Sequence, residues 1–303
     1  MIATPKKAAT VILLRELSPR GFEVFLLKRH EQSNFFAGNY VYPGGKVDRA
    51  DADLEICRRC RGVNPELAHW AFGELLTPEE SFAHYVAGIR ELFEEAGILI
   101  AYDQTGDLLR IEDPEERKKF SQYRHLLDDH KITFHQMAQQ ENLSFALDRI
   151  HYLAHWITPE ARPIRFDTRF FLTRLPKGQE AICDQKETTV GAWMTPRKAL
   201  EENLYGEMVL SPPTLKTLED LSRFEYLDDV LRSAPGKEIR PILPVLSRIE
   251  DLQVIVFPWD PEYEIFQTGV LPKSLDHGRP SGTGDNTTRL LLKQGHWHPY
   301  CRT

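Results

Sequence analysis

Two periodicities divide the chain. Positions 9–14 and 22–28 are short apolar runs rich in β-branched and aromatic residues, and Ser18-Pro19-Arg20-Gly21 between them is a turn sequence. They predict two strands. Tyr40-Val41-Tyr42 leads a third into Pro43-Gly44-Gly45. Past residue 77 the period changes: Phe82, Tyr85, Val86, Ile89, Phe93 and Ala96 recur at helical spacing and predict a helix over 78–96. Its ends are marked. Thr77 suits the N-cap, Pro78 the first helical position, Glu80 closes a capping box, and Gly97 stops the helix. Beyond it, 98–101, 150–157 and 165–175 read as strands, with 193–194 ending another. Segments 112–142, 196–202 and 213–232 read as helix. Residues 46–76 are mixed and charged, an insertion of loops and short helix. After about 240, apolar runs such as 254–257 alternate with Pro- and Gly-rich turns and read as a surface tail. No repeat or linker cuts the chain.

Composition narrows the class. The 303 residues carry 45 acidic and 38 basic side chains, a net charge of −7, which argues against a general nucleic-acid binder. No apolar run approaches the roughly 20 residues a membrane span needs. The apolar start at 8–14 has no cleavage site behind it and reads as a strand rather than a signal peptide. Cys57, Cys60, Cys183 and Cys301 are too few for a disulfide framework in a chain of this length. These features predict a cytoplasmic protein with no membrane or nucleic-acid partner; a homodimer is compatible with them. Cys301-Arg302-Thr303 is not a peroxisomal address of the Ser-Lys-Leu kind.

On the helix at 78–96, Glu91, Glu94 and Glu95 stand at i, i+3 and i+4 and share a face opposite the apolar stripe. Carboxylates so spaced repel one another, and Arg90 is the cation placed to reach Glu94 at i+4. A solvated polar face is the commoner meaning of such a cluster. The alternative is a seat for a hard divalent cation, which takes oxygen ligands.

The string Arg90-Glu91-Leu92-Phe93-Glu94-Glu95-Ala96-Gly97-Ile98 resembles the second half of the Nudix box, Arg-Glu-U-x-Glu-Glu-x-Gly-U with U aliphatic, at every specified position. Gly44-Gly45 resembles its start. The usual box sets its first Gly 14 residues before the Arg; here Gly45 stands 45 before Arg90, an excess of 31. The box's intermediate Glu, counted back from Arg90, would fall on Phe82, with Glu80 the nearest carboxylate. A box so interrupted resembles the Nudix branch that includes the peroxisomal acyl-coenzyme A diphosphatases of animals. The strings His155-Trp156-Ile157-Thr158-Pro159, Arg165-Phe166-Asp167-Thr168-Arg169-Phe170-Phe171 and Ala192-Trp193-Met194-Thr195-Pro196 are similar to that branch as well. The resemblance covers roughly residues 8–230.

The resemblance implies an α/β/α Nudix sandwich with a mixed sheet, over residues 1–235 with an insertion at about 46–76. An extension at 236–303 would pack on the same domain. It implies Mg²⁺- or Mn²⁺-dependent hydrolysis of a small nucleoside-diphosphate-linked substrate, coenzyme A or its acyl derivatives foremost. ADP-ribose, NADH or a nucleotide sugar are the alternatives, as is a non-catalytic nucleotide-sensing module, which the intact carboxylates argue against. Carried onto this chain, Glu91, Glu94 and Glu95 match the metal-binding glutamates, Gly45 the glycine whose carbonyl completes the metal shell, and Arg90 the arginine that orients a glutamate. Catalytic roles fall to Arg90, Glu94 and Glu187, the last as a further ligand or general base, with Asp184 close by as its competitor. For substrate phosphates, Arg58, Arg59 and Arg61 of the insertion are one candidate set, alongside Lys46 and Arg49; Leu67, Trp70 and Phe72 would flank the substrate's arm. Arg162, Arg165 and Arg169 form a second set. Cys57 and Cys60 with His296, His298 and Cys301 make a weaker zinc reading, ordinary thiols being the expectation.

Overall fold

The computed structural model describes residues 2–302 except 34, 74–75, 235, 237, 250, 270–277 and 282–284, so small parts of the expected insertion and extension lie outside the described residues. An eight-stranded mixed sheet is its spine. Strands run in the order Thr188–Met194, Phe22–Arg29, Lys6–Glu16, Phe166–Arg174, His151–Ile157 and Pro241–Ile242. Tyr40–Val41 pairs with Phe22–Arg29, and Gly44–Lys46 with Lys6–Glu16. Lys6–Glu16 is the centre: parallel to Phe166–Arg174 and antiparallel to Phe22–Arg29 and Gly44–Lys46.

Both faces of that strand are covered, which is why residues 9–14 read as a continuous apolar run rather than an alternating one. Val11 and Leu13 point to a core shared with the Pro78–Ala96 helix, while Ile12 and Leu14 point to a second core on the opposite face. The first face also carries the helices Pro65–Ala71, Pro114–Asp128 and Phe134–Gln140. The second carries Pro196–Tyr205, Pro212–Leu221 and Leu227–Ser233. Helices on both sides of a mixed sheet give the expected α/β/α sandwich.

Several expectations change in detail. The helical stretch at 112–142 is two helices, broken where His130 adopts φ 55°. The stretch at 213–232 is likewise two. Residues 98–100 are buried but are not a strand; the strand is Ala101–Tyr102. Their backbone is met by a side chain instead: Gln179 Oε1 accepts from Leu99 N–H at 2.9 Å, and its Nε2 donates to the carbonyls of Leu99 and Leu109, both at 2.9 Å. The residues after 240 are no surface tail. They build a five-stranded antiparallel sheet, Val245–Ile249, Leu252–Val256, Arg289–Lys293, His296–Cys301 and Arg279–Pro280, among the described residues. Ile255, Phe257, Leu290 and Trp297 of this part enter the second core beside Ile12 and Leu14.

Candidate active site

The Pro78–Ala96 helix starts and stops where its sequence says. Thr77 Oγ1 accepts from Glu80 N–H at 3.2 Å, Glu80 Oε2 accepts from Thr77 N–H at 3.3 Å, and Gly97 sits at φ 72° with its N–H on Phe93 O at 2.9 Å. The helix is buried on more than its apolar stripe. Glu95 is only 5% exposed and the side chains of Glu91 and Glu94 only 13% and 23%, so the carboxylate face is not a solvated one. It is closed by the Gly44–Lys46 strand and by a short 3₁₀ turn, Arg49–Ala52.

Each closing element leaves its mark on a named side chain. Glu95 Oε2 accepts from Gly44 N–H at 2.8 Å. Gly45 lies so close to Glu91 that a Cβ there would stand 2.5 Å from Glu91 Oε2, so any larger residue would push that carboxylate aside. Arg90 spends its guanidinium on four partners. Nε and Nη2 donate to the two oxygens of Asp51 at 2.9 Å each, Nη2 to Lys46 O at 2.9 Å, and Nη1 to Glu91 at 2.8 Å and Glu94 at 2.9 Å. The i+4 contact to Glu94 is the one its spacing anticipates.

A count back from Arg90 passes over Asp51, because the insertion lies between the two. The box Glu stands eight residues before that arginine and hence six after the first Gly; counted forward from Gly45, the same position is 51. Asp51 therefore occupies the intermediate acidic position, one methylene shorter, and the insertion follows it. Neither Phe82, buried in the core, nor Glu80, which caps the helix and pairs with Lys7, stands in that place.

The electrostatics are those of too many acids for the cations present. Burial pushes Glu91 up to about 7, against the pull of Arg90 and with a further push from Glu94. Burial also raises Glu94, and raises Glu95 well above the ordinary carboxylate range, with Glu91 adding to it. Burial alone would depress Arg90, but Asp51 and the two glutamates outweigh it and its pKa rises. Arg29, at the end of its strand, favours the charged form of Glu95, and its Nε is buried without a hydrogen-bond partner.

A hard divalent cation fits this donor set. All the donors are oxygens, and their surplus charge is what such an ion offsets. Glu91, Glu94 and Glu95 each have one oxygen taken by Arg90 or Gly44 and one left for a further partner. As the side chains stand, no group of three or more His, Cys, Asp or Glu among the described residues forms a ready cage.

A cavity of about 1070 Å³ opens from this face, lined at the carboxylate end by Gly44, Gly45, Glu91, Glu187 and Arg29. Glu187 and Asp184 now separate. Asp184 is consumed by its own loop, accepting from the backbone N–H groups of Lys186, Glu187 and Thr188 and from Thr188 Oγ1. Glu187 faces the cavity, near enough to Glu95 to raise its pKa.

The insertion arginines do not reach this space. Arg58 pairs with Glu55 at 2.6 Å, Arg59 donates to Leu143 O at 3.4 Å, and Arg61 lies on a two-residue strand paired with Ser144–Ala146. None of the three lines the cavity, because past Asp51 the insertion packs on the helix side of the sheet. Phe72 is core, stacked on Tyr85 at 5.6 Å, while Leu67 and Trp70 are exposed. Of the other set, Arg165 holds Thr158 O and Ala3 O, and Arg169 is buried with Asp167 and His155. Arg162 does line the cavity, as do Lys6 and Lys46. Cys57 and Cys60 pack on the first core, whereas Cys301 closes a strand of the C-terminal sheet, so the zinc set is not brought together.

A family model, the NUDT19 Nudix domain, matches residues 64–223. The chain belongs to the Nudix hydrolases and is an enzyme of that family. Its place is in the NUDT19-like branch. The acyl-coenzyme A diphosphatase NUDT19 of Xenopus laevis is 26% identical over 80% of this chain and 71% of its own length, and that of Homo sapiens 26% over 80% and 72%. The putative nudix hydrolase 7 of Caenorhabditis elegans is 26% identical over 85% and 74%. Among solved structures, a NUDIX hydrolase from Alicyclobacillus acidocaldarius shares the fold, with a TM-score of 0.61 and 24% identity over 77% of this chain and 97% of that one. No helix among the described residues is long and apolar enough to cross a membrane.

Proposed function

We propose that this Nudix hydrolase cleaves the diphosphate of coenzyme A or an acyl derivative, with Mg²⁺ or Mn²⁺ held by Glu91, Glu94, Glu95 and the Gly45 carbonyl. Bound there, the ion supplies polarisation of the diphosphate and charge for the leaving phosphate. The chain's own residues do the rest. Arg90 fixes the rotamers of Glu91 and Glu94 from below, itself anchored by Asp51. Glu187 takes the proton of the attacking water. Water adds to one phosphorus, the P–O bond of the anhydride breaks, and the products are an adenosine bisphosphate and a phosphopantetheine.

The observation that carries this reading is the cavity. At about 1070 Å³ it matches the upper end of the range of small-molecule sites, and it joins the carboxylates to both cations and an apolar wall. Coenzyme A needs all three: a charged centre, a contact for a 3′-phosphate, and room for a long arm. The names borne by the relatives point the same way.

The test is hydrolysis of a diphosphate panel (coenzyme A, acyl-coenzyme A, ADP-ribose, NADH and a nucleotide sugar) with Mg²⁺ and with Mn²⁺. The highest kcat/KM is expected on coenzyme A or its acyl form, with no turnover in chelator. A clear preference for ADP-ribose or NADH overturns the substrate assignment.

A further inference from the structure

The strand register around the cavity fixes two directions leading away from the carboxylates. Gly44 and Gly45 flank the central strand opposite Thr10 and Ala9. Toward the start of that strand, Lys6 stands opposite Phe166, whereas Thr10 stands opposite Phe170. Phe166 and Phe170 both face the cavity, about 13 Å apart along the strand.

The two ends differ in chemistry. Around Phe166 lie Lys6, Arg162 and Phe35, with the Phe35 ring edge-on to Phe166 at 4.9 Å. Arg162 sits in the turn that joins the two strands there, closed by Thr158 N–H on Phe166 O at 2.9 Å. Lys6 and Arg162 face the cavity with no carboxylate partner among the described residues. Two cations beside aromatic faces suit a phosphorylated nucleoside: guanidinium for phosphate, ring faces for the base. Phe170 instead shares an apolar cluster with Trp156 and, from the C-terminal sheet, Ile255, Leu292 and Trp297, all of which also line the cavity.

We propose that coenzyme A lies in this cavity in one orientation. Its adenosine and 3′-phosphate point to Lys6, Arg162, Phe35 and Phe166, and its pantetheine arm crosses Phe170 onto Ile255 and Leu292. Arg162 is thus a specificity-determining residue for the 3′-phosphate, and the C-terminal sheet is the arm-binding wall of the enzyme. The inference rests on the coenzyme A reading above and adds the direction in which the substrate lies.

The experiment measures kcat/KM for coenzyme A, 3′-dephospho-coenzyme A and ADP-ribose on the full chain and its variants, since that ratio measures discrimination. The wild type is expected to favour coenzyme A over its dephospho form. Arg162→Ala should bring that ratio down by about tenfold or to near unity, and Arg162→Lys should retain much of it. Leu292→Gln should lower kcat/KM for coenzyme A relative to ADP-ribose while leaving the 3′-phosphate ratio in place. Matching melting curves establish that each variant is folded. A wild type that shows no preference for coenzyme A defeats the substrate reading and the orientation with it. A wild type that discriminates, with R162A discriminating equally well, overturns the orientation and leaves the substrate reading standing.

Discussion

Arg90 and Asp51 meet through two parallel hydrogen bonds of 2.9 Å although 39 residues separate them in the chain. Asp51 is 1% exposed and Arg90 is 9% exposed, so this is a buried ion pair, and the 3₁₀ turn that carries Asp51 is pinned to the Pro78–Ala96 helix by it. Burial pushes Asp51 up while Arg90 pulls it down. Removing one member of such a pair leaves the other charge uncompensated, which costs about 3–5 kcal/mol. Asp51→Ala should lose stability on that scale in urea unfolding, and lose activity because Arg90 no longer holds Glu91 and Glu94 in place. Asp51→Glu should recover part of both. A loss under about 1 kcal/mol would mean that Arg90 is held by its two glutamates and Lys46 O alone.

Glu95 differs from Arg90 in what its removal leaves behind. Its carboxylate is buried beside that of Glu91, and Arg29 and the Gly44 N–H, which favour its charge, do not offset that burial. Glu95→Gln keeps an oxygen for Gly44 and removes a repulsion. The melting temperature without metal should therefore hold or rise. Hydrolysis should fall by a factor on the order of a hundred or more, as loss of a principal charge-stabilising group does, and the rise in melting temperature produced by Mg²⁺ should shrink. Turnover near that of the wild type at saturating Mg²⁺ would reduce the carboxylate face to a structural feature.

What the sequence disclosed, it disclosed through local rules. The helix at 78–96 was legible because its cap, its stripe and its terminal glycine are all set by neighbours within four residues. The candidate ligands followed because i, i+3 and i+4 place them on one face. Distant pairing was not legible. Asp51 is marked off from Asp48 and Asp53 only by its spacing from Gly45, and its partner lies across the whole insertion. The run at 98–100 has a strand's composition, but Gln179 satisfies the backbone of Leu99 from far along the chain. The arginines of the insertion sit beside the box in sequence, yet the sheet places Lys6 and Arg162 at the cavity instead. The tail's apolar runs became a sheet because each finds its partner among other segments of the tail itself.

His84 offers a pH signature separate from the carboxylate face. It is fully buried on the same helix, with Nδ1 2.7 Å from Glu80 O, so that nitrogen carries the proton and donates; Nε2 has no hydrogen-bond partner. Burial pushes its pKa down to about 4. A histidine lower in the fold than in the unfolded chain binds its proton first on unfolding. Stability is therefore lost as pH falls from about 6.5 toward 4, by about 3 kcal/mol for a shift of this size. Buried glutamates with raised pKa values act in the opposite sense, so the comparison must be with a variant. In His84→Gln the difference from wild type in unfolding free energy should change by that amount between pH 7 and pH 4. Parallel profiles for the two proteins would show that His84 stays neutral, or is equally buried when unfolded.

Arg58 and Arg61 provide the control for where substrate phosphates are read. Arg58 has a 73% exposed side chain paired with Glu55 in its own turn, and Arg61 is exposed on the strand beside Ser144–Ala146. Neither faces the cavity that holds Glu91 and Glu187. Surface charges beyond a Debye length, about 8 Å at physiological salt, are largely screened from a bound substrate. Substitutions at such positions usually change stability by no more than about 0.5 kcal/mol. Arg58→Glu combined with Arg61→Glu should therefore leave the ratio of kcat/KM for coenzyme A over its dephospho form within about twofold of the wild type. The same ratio should hold at low and at physiological salt. A collapse of the ratio in this double variant would place the insertion over the substrate and move the 3′-phosphate contact away from Lys6 and Arg162.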